Sequence, residues 1–470
     1  MLDYPIYIGG EFQSGPLLLN VTNPYTGQVF AHTYNATEAQ YEEAAKKALH
    51  VKKQLAELPA YERYKALRFV SDTIATQRQH LAEILCLESG KPMVYALGEV
   101  DRASQTFLIA AEESKRLPKE YLALDWTKPG AKKEGIVKYF PSGLVAGITP
   151  FNFPINLVAH KVAPALAAGC PIILKPASTV PLSSLELAKI IDQTELPKGA
   201  FSVLPMDRKN GNRLVTDERF NVLSFTGSAD VGWEMKKNAG KKRVLLELGG
   251  NAAVIITESA NIKEVIPKAV VAGFAYSGQI CIHAQRFFIQ EQVFEKFTAD
   301  FVGKVKTLKY GDPKDTPTEV SVMIDKPNAD RVEAWVKEAV SGGAKVLCGG
   351  NKKDGYYEPT IMINVKEEMK ICSEEIFGPV VVLDSYKEFQ EAINKVNSSR
   401  FGLQASVFTN SITEMDMAHN QLEVGGVIIN DMPTFRADHM PYGGIKDSGF
   451  GREGIRYAIH EMMEPRILVK

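Results

Sequence analysis

Between residues 144 and 248 the chain repeats one pattern: a short apolar stretch, a turn, then a helical or turn-rich connection. The stretches are LVAGI (144–148), PIILK (171–175), AFSVLP (200–205), NVLSFTG (221–227) and KRVLLEL (242–248). Strands apolar on both faces need cover on both sides, and alternation with helices supplies it. The pattern therefore predicts an α/β fold with a parallel, doubly covered sheet. A second run, AAVII (252–256), a helix over 261–276 and RFFIQ (286–290), predicts another α/β unit. Upstream, 37–57 opens on a Thr N-cap, and 61–117 reads as amphipathic helices punctuated by Gly90-Lys91-Pro92. EGIVKYF (134–140) and the tail MEPRILVK (463–470) are strand-like, and the tail is expected to pair away from its own domain. At ~150 residues per domain, 470 residues suggest two or three domains.

Charge narrows the function. With 55 Lys+Arg against 56 Asp+Glu, the chain lacks the basic footprint of a nucleic-acid binder. The first cation is Lys46, so no basic signal or transit segment is read, and no apolar run reaches the ~18 residues of a membrane helix. A cytoplasmic protein with no membrane partner is expected. The five cysteines, Cys86, Cys170, Cys281, Cys348 and Cys372, are odd in number and form no C-x-x-C pair, against both a disulfide framework and a metal site. Each is then a buried small hydrophobe or a reactive thiol. Gly449-Phe-Gly451-Arg-Glu-Gly454 fits G-x-G-x-x-G, yet only 16 residues follow it, too few for a dinucleotide-binding βαβ unit. No Walker A, H-E-x-x-H or G-x-S-x-G occurs.

Four short segments carry chemistry. Gly278-Gln279-Ile280-Cys281 puts a thiol after a glycine turn that follows a helical stretch, where it can be exposed and activated. Glu247 lies at the carboxyl end of an apolar strand, where α/β sheets place ligands; a lone Glu there is more often a surface or ion-paired residue. Asn152, braced in Pro150-Phe-Asn-Phe-Pro154, has a stiffly held amide suited to an oxyanion hole, or to capping the next helix. Lys175 ends a buried strand and either anchors a phosphate or ribose or snorkels to solvent.

Taken together and in order, these segments resemble the aldehyde dehydrogenase superfamily over essentially the whole chain. The resemblance rests on PFNFP (150–154), LKPAS (174–178), SFTGS (224–228), LELGGN (246–251), GQIC (278–281), EEIFGP (374–379) and PYGGIKDSGFGREG (441–454). Spacing agrees too: 23 residues from 152 to 175 and 34 from 247 to 281. It implies Cys281 as nucleophile, Asn152 as oxyanion donor and Glu247 as the base that hydrolyses a thioester to a free acid. It also implies NAD or NADP as cofactor. Glu375 and Phe377 would lie at the nicotinamide ribose, Pro150, Thr226, Gly227 and Ser228 along the diphosphate and nicotinamide path, and Lys175 at the adenosine ribose. Where many NAD-specific relatives carry Glu, this chain has Ser178, which removes a repulsion from a 2′-phosphate and favours NADP. No metal is implied. The implied architecture is a modified Rossmann cofactor domain (1–120 and 141–247), an α/β catalytic domain (248–430) and a small β oligomerisation element (121–140 and 455–470). Residues 431–454 would return to the active site, and the tail strand would pair in another subunit of a homodimer or homotetramer.

The stretch Asn430–Pro441 resembles a subgroup acting on small oxygenated or anionic aldehydes: lactaldehyde, glyceraldehyde and its phosphate, and phosphonoacetaldehyde. Arg436 and His439 are candidate substrate contacts; Arg102 and His283 are weaker ones. The alternatives are a salt bridge from Arg102 to Glu99 and a core imidazole for His283. A succinate-semialdehyde or similar semialdehyde dehydrogenase is the second reading. A catalytically silent scaffold of the same fold would not need the Cys281, Glu247 and Asn152 set.

Overall fold

The computed structural model describes residues 2–470. Its larger sheet has eight strands. In spatial order they are Gly449–Phe450, Arg243–Leu248, Phe220–Gly227, Leu144–Ile148, Ile172–Lys175, Phe201–Val203, Ile6–Ile8 and Glu11–Gln13. The strands between residues 144 and 248 run parallel, and antiparallel strands flank them on both sides. The apolar runs are covered on both faces as the sequence requires. Val145, Ile172 and Leu174 pack in one core, while Leu144, Ala146, Ile148 and Ile173 pack in another with the helix Glu38–Glu57. Thr37 caps that helix in a reciprocal capping box with Gln40.

A seven-stranded sheet follows, ordered Lys345–Cys348, Thr360–Ile363, Val380–Tyr386, Arg286–Gln290, Ala253–Ile256, Gln404–Phe408 and Gly426–Ile429. All its pairings are parallel except the first. A third, three-stranded sheet is antiparallel and joins Lys119–Ala123, Glu134–Pro141 and Met463–Val469. The two strand-like stretches read at 134–140 and 463–470 are neighbours in it, apart from the two larger sheets. The tail strand pairs within its own chain, Met463 opposite Pro141 through Val469 opposite Gly135. That pairing satisfies the backbone groups along one edge of the tail strand; among the described residues no strand lies along the other. Residues 2–34, unassigned from sequence, supply two strands of the large sheet and a small sheet of their own.

The parallel strands aim their carboxyl ends at one crevice. Asn152 lies four residues beyond Leu144–Ile148, Lys175 ends Ile172–Lys175, Thr226 and Gly227 end Phe220–Gly227, and Glu247 lies next to the end of Arg243–Leu248. Cys281 enters from the second unit, between the helix Ile262–Phe274 and the strand Arg286–Gln290. The edge strand Gly449–Phe450 pairs with Leu246 and Glu247 and draws residues 431–454 over the same crevice.

Candidate active site

The turn before Cys281 is conformationally costly. Tyr276 and Ser277 have φ of 49° and 53°, a left-handed conformation unusual for residues with side chains. Tertiary bonds hold it: the Tyr276 hydroxyl donates to the Ser89 carbonyl at 3.0 Å, and Ser277 Oγ donates to the Ser321 carbonyl at 2.7 Å. Gly278 is required in this turn, since a Cβ there would fall 2.2 Å from the Gly378 carbonyl oxygen. The turn leaves Cys281 Sγ 3.3 Å from the Tyr442 hydroxyl. Burial pushes the thiol up to about 11, opposed by that hydrogen bond and by the Arg436 charge.

Asn152 Nδ2 donates to the Gln279 carbonyl at 3.1 Å, which ties the amide to the Cys281 turn, while its Oδ1 is buried without a partner. Behind it lies a fully buried ion pair that was read from sequence only as a helix break. Lys91 Nζ pairs with Glu99, donates to the Asn152 carbonyl at 2.7 Å and sits over the Phe153 ring. Glu99 in turn accepts from the Ile155 and Asn156 N–H groups at 3.0 and 3.2 Å. One ion pair thus clamps both ends of the 152–156 turn.

Glu247 is buried, and its Oε2 has no hydrogen-bond partner. Burial, reinforced by the nearby Glu453 carboxylate, raises its pKa well above the ordinary carboxylate range. Glu453 is itself held ionised by Lys161 at 3.2 Å and Arg436 at 3.0 Å.

Two cavities meet at Cys281. The first, about 430 Å³, is lined by Pro150, Asn152, Thr226, Gly227, Ser228, Glu247, Glu375 and Phe377, all anticipated from sequence. Asn328, Arg331 and Trp335 on the helix Lys326–Ser341 also line it and were not anticipated. Glu375 accepts from the Gly250 N–H at 3.1 Å, and burial pushes it to about 7. Gly249 keeps this cradle open, since a Cβ there would fall 2.0 Å from the Glu375 carboxylate. A carboxylate acceptor, backbone donors and an aromatic wall from Phe151 packed against Phe377 fit a ribose and a nicotinamide ring. Lys175 and Ser178 lie outside this lining. Lys175 donates to the Pro176 carbonyl at 3.0 Å, and burial draws it down to about 8. Ser178 donates to the Met206 carbonyl at 3.2 Å and faces a separate groove.

The second cavity, about 310 Å³, approaches Cys281 from the other side. Val94, Phe153, Val271, Ile280 and Ile282 make its walls apolar, and Lys91, Arg102 and Arg436 supply its cations. Arg102 pairs with Asp438 at 2.6 Å, not with Glu99, whose oxygens are already engaged. Arg436 stacks 3.7 Å from the Tyr442 ring, and its Nε is buried without a partner. Two other candidates lie elsewhere. His439 is exposed on a turn closed by Met440 N–H to the Ala437 carbonyl, so it points away while Asp438 points in. His283 is a core residue hydrogen-bonded to the Gly273 carbonyl at 2.8 Å, and burial lowers it to about 4, hence neutral.

Among residues the sequence reading did not assign, Lys161 and Glu453 had a visible signal: Lys161, beside His160, interrupts an otherwise apolar helix. Tyr442 and Glu453 lie inside the quoted segment 441–454, whereas Arg331 had no signal, because it gains its place only through tertiary packing.

A thiol, a stiff amide, a partnerless buried carboxylate and a nucleoside-shaped cleft define a nicotinamide-dependent oxidoreductase working through a cysteine. Residues 13–468 match the aldehyde dehydrogenase family. The chain is 40% identical over 467 residues to a 3-sulfolactaldehyde dehydrogenase of Priestia aryabhattai, covering 99% of this chain and 98% of that protein. It is 38% identical over 469 residues to a lactaldehyde dehydrogenase of Methanococcus aeolicus, covering 99% of each. Among solved structures, aldehyde dehydrogenase 21 from Physcomitrella patens, in complex with the reaction product succinate, superposes with a TM-score of 0.98 at 44% identity over 100% of this chain and 98% of that one. Glyceraldehyde-3-phosphate dehydrogenase GapN from Methanocaldococcus jannaschii, complexed with NADP, gives 0.92 at 36% identity over 96% and 98%. The chain belongs to the aldehyde dehydrogenase family and is an NAD(P)-dependent enzyme that oxidises small aldehydes.

Proposed function

We propose that this enzyme oxidises short aldehydes whose far end carries an anion. The observation that carries the reading is the placement of Arg102 and Arg436 in one apolar pocket with the Cys281 thiol. Arg436 brings a buried Nε with no partner, an unmet donor that an anion would satisfy. Tyr95, Asn156 and Thr434 also line it and can meet a hydroxyl, but Arg102 and Arg436 are the groups that answer a negative charge at the far end. Two compounds named for relatives are of this class, 3-sulfolactaldehyde and succinate, while lactaldehyde, named for others, is neutral.

Cys281 attacks the aldehyde carbonyl, and the oxyanion that forms takes hydrogen bonds from the Asn152 amide and the Cys281 N–H. When bound, NAD(P)+ accepts the hydride. Glu375 would hold the ribose and Phe377 the ring's surroundings, with Pro150, Thr226, Gly227 and Ser228 along the path and Lys175 and Ser178 toward the adenosine end. Glu247, with an unpaired oxygen, then takes a proton from the water that cleaves the Cys281 thioester, releasing a carboxylic acid. The test is a panel of succinate semialdehyde, 3-sulfolactaldehyde, lactaldehyde and butanal. The anionic members are expected to exceed butanal in kcat/KM by about tenfold or more; equal values would refute the reading.

NADP is the favoured cofactor in this reading. Ser178→Glu should shift the kcat/KM ratio toward NAD by about tenfold, through repulsion of the 2′-phosphate. An unchanged ratio would remove Ser178 from the selectivity argument. We divide the chain into a cofactor domain (1–120 and 141–247), a catalytic domain (248–430) and an assembly element (121–140 and 455–470), with the helix Ile455–Glu461 packed against the first of these. The sheet of Lys119–Ala123, Glu134–Pro141 and Met463–Val469 exposes Tyr121, Leu122, Ile467, Leu468 and Val469, a surface a second copy would cover. No helix among the described residues is long and apolar enough to cross a membrane. We place the working enzyme in the cytoplasm as a homodimer or homotetramer.

A further inference from the structure

The arginines of the substrate-side pocket are not free cations; each is tied into one hydrogen-bonded chain. Arg102 pairs with Asp438 at 2.6 Å, and Asp438 Oδ1 lies 2.8 Å from His160 Nε2. Arg436 Nη2 lies 3.2 Å from His160 Nδ1 and 3.0 Å from Glu453, whose other oxygen is 3.2 Å from Lys161 Nζ. Arg436 Nη2 also lies 3.3 Å from His160 Nε2, so the guanidinium faces both ring nitrogens while Nε2 meets the Asp438 carboxylate. Burial and the Arg436 charge lower the pKa of the ring and favour its neutral form.

The charges around the pocket can then be paired off. Lys91 is neutralised by Glu99 and Arg102 by Asp438, while Lys161 and Arg436 share Glu453. One positive charge is left over, and Arg436, with its unpartnered Nε, is where it can be used. Glu247 lines the cofactor-side cavity, and Arg452, bonded to the Gly444 and Gly451 carbonyls, lines neither cavity, so neither enters this count. A buried surplus charge is costly until a ligand compensates it, and overcompensation is costly again.

We propose that this wall is set to accept a single negative charge, so that the enzyme takes a carboxylate or sulfonate tail and discriminates against a phosphonate or phosphate dianion. Asp438 sets that number, by cancelling Arg102 while holding it against the pocket. The proposal rests on the reading that Arg102 and Arg436 receive the substrate's far end.

The test uses propanals bearing a methyl, sulfonate or phosphonate group at C3. Sulfonate and phosphonate share a tetrahedral shape and differ mainly in charge. Measurements at about pH 8.5 keep the phosphonate doubly ionised. The wild-type enzyme should prefer sulfonate to phosphonate in kcat/KM by about tenfold or more. Asp438→Asn leaves the pocket one charge more positive, and the sulfonate-to-phosphonate ratio should fall about tenfold. Arg102→Gln, at a half-exposed position, does the opposite, and the ratio should rise by a similar factor. Equal use of both tails by the wild type, or a ratio unmoved in both variants while sulfonate still outruns methyl, overturns the charge-setting role alone. If methyl matches sulfonate in the wild type, the anionic-substrate reading itself fails.

Discussion

Replacing Cys281 by alanine is expected to lower aldehyde-dependent NAD(P) reduction by roughly four orders of magnitude or more, the scale seen when a covalent nucleophile is removed. The reason is geometric. Cys281 is the side chain carrying a nucleophilic atom that lines both cavities, so the cofactor side and the substrate side share no other thiol. The thiol's recorded hydrogen bond is with Tyr442, so its loss leaves the fold with a small cavity and a modest stability change. The check is steady-state turnover beside a melting curve. Near-normal turnover in a folded variant would dismiss the covalent mechanism, whereas loss of both turnover and cooperative melting would call for Cys281→Ser.

Glu247→Gln should divide the reaction in two. Acylation would proceed, giving a burst of reduced cofactor close to one equivalent per site, and hydrolysis of the thioester would then slow by about 10²–10³-fold. The pH dependence gives the sign. Burial and Glu453 raise the Glu247 pKa, so its ionised, basic fraction grows with pH and is lost as pH falls through that raised value. Deacylation-limited turnover in the wild type should therefore climb with pH, and the Gln variant should show a flat acid limb. The same shift means the folded state binds a proton that the unfolded state releases, so this group's contribution to stability declines as pH rises above the ordinary carboxylate range. Gln removes that cost, and melting should not drop at neutral pH. Equally slow single-turnover hydride transfer would count against Glu247 as a base of the second step.

What could be read from the sequence was local. Apolar strands and their turn residues mark the two parallel sheets, because strand burial on both faces is written in consecutive residues. The site residues on strand ends, Glu247, Thr226 and Lys175, came with their strands, and Cys281 and Asn152 came with the glycine and proline turns that hold them. Charge pairing was not legible. Arg102 has a suitable acid three residues back, yet it pairs with Asp438, 336 residues away, because Glu99 is committed to Lys91 and two helix amides. His439 looked as good as its neighbours, since one sequence cannot say which residues of an irregular turn face inward. Lys91 was invisible for the same reason: a lysine's cost in a core depends on partners that only the fold brings near.

The segment 431–454 separates selectivity from chemistry along the chain. Arg436, Asp438, Tyr442 and Glu453 all reside there, and they face partners as far back as Arg102, His160 and Lys161. The nucleophile, the amide and the carboxylate lie upstream, on turns and strand ends of the two sheets. What chooses the substrate is one strap of sequence laid across a structure that carries its reacting groups elsewhere, so substitutions confined to that strap can change the aldehyde taken while leaving thiol, amide and carboxylate in place.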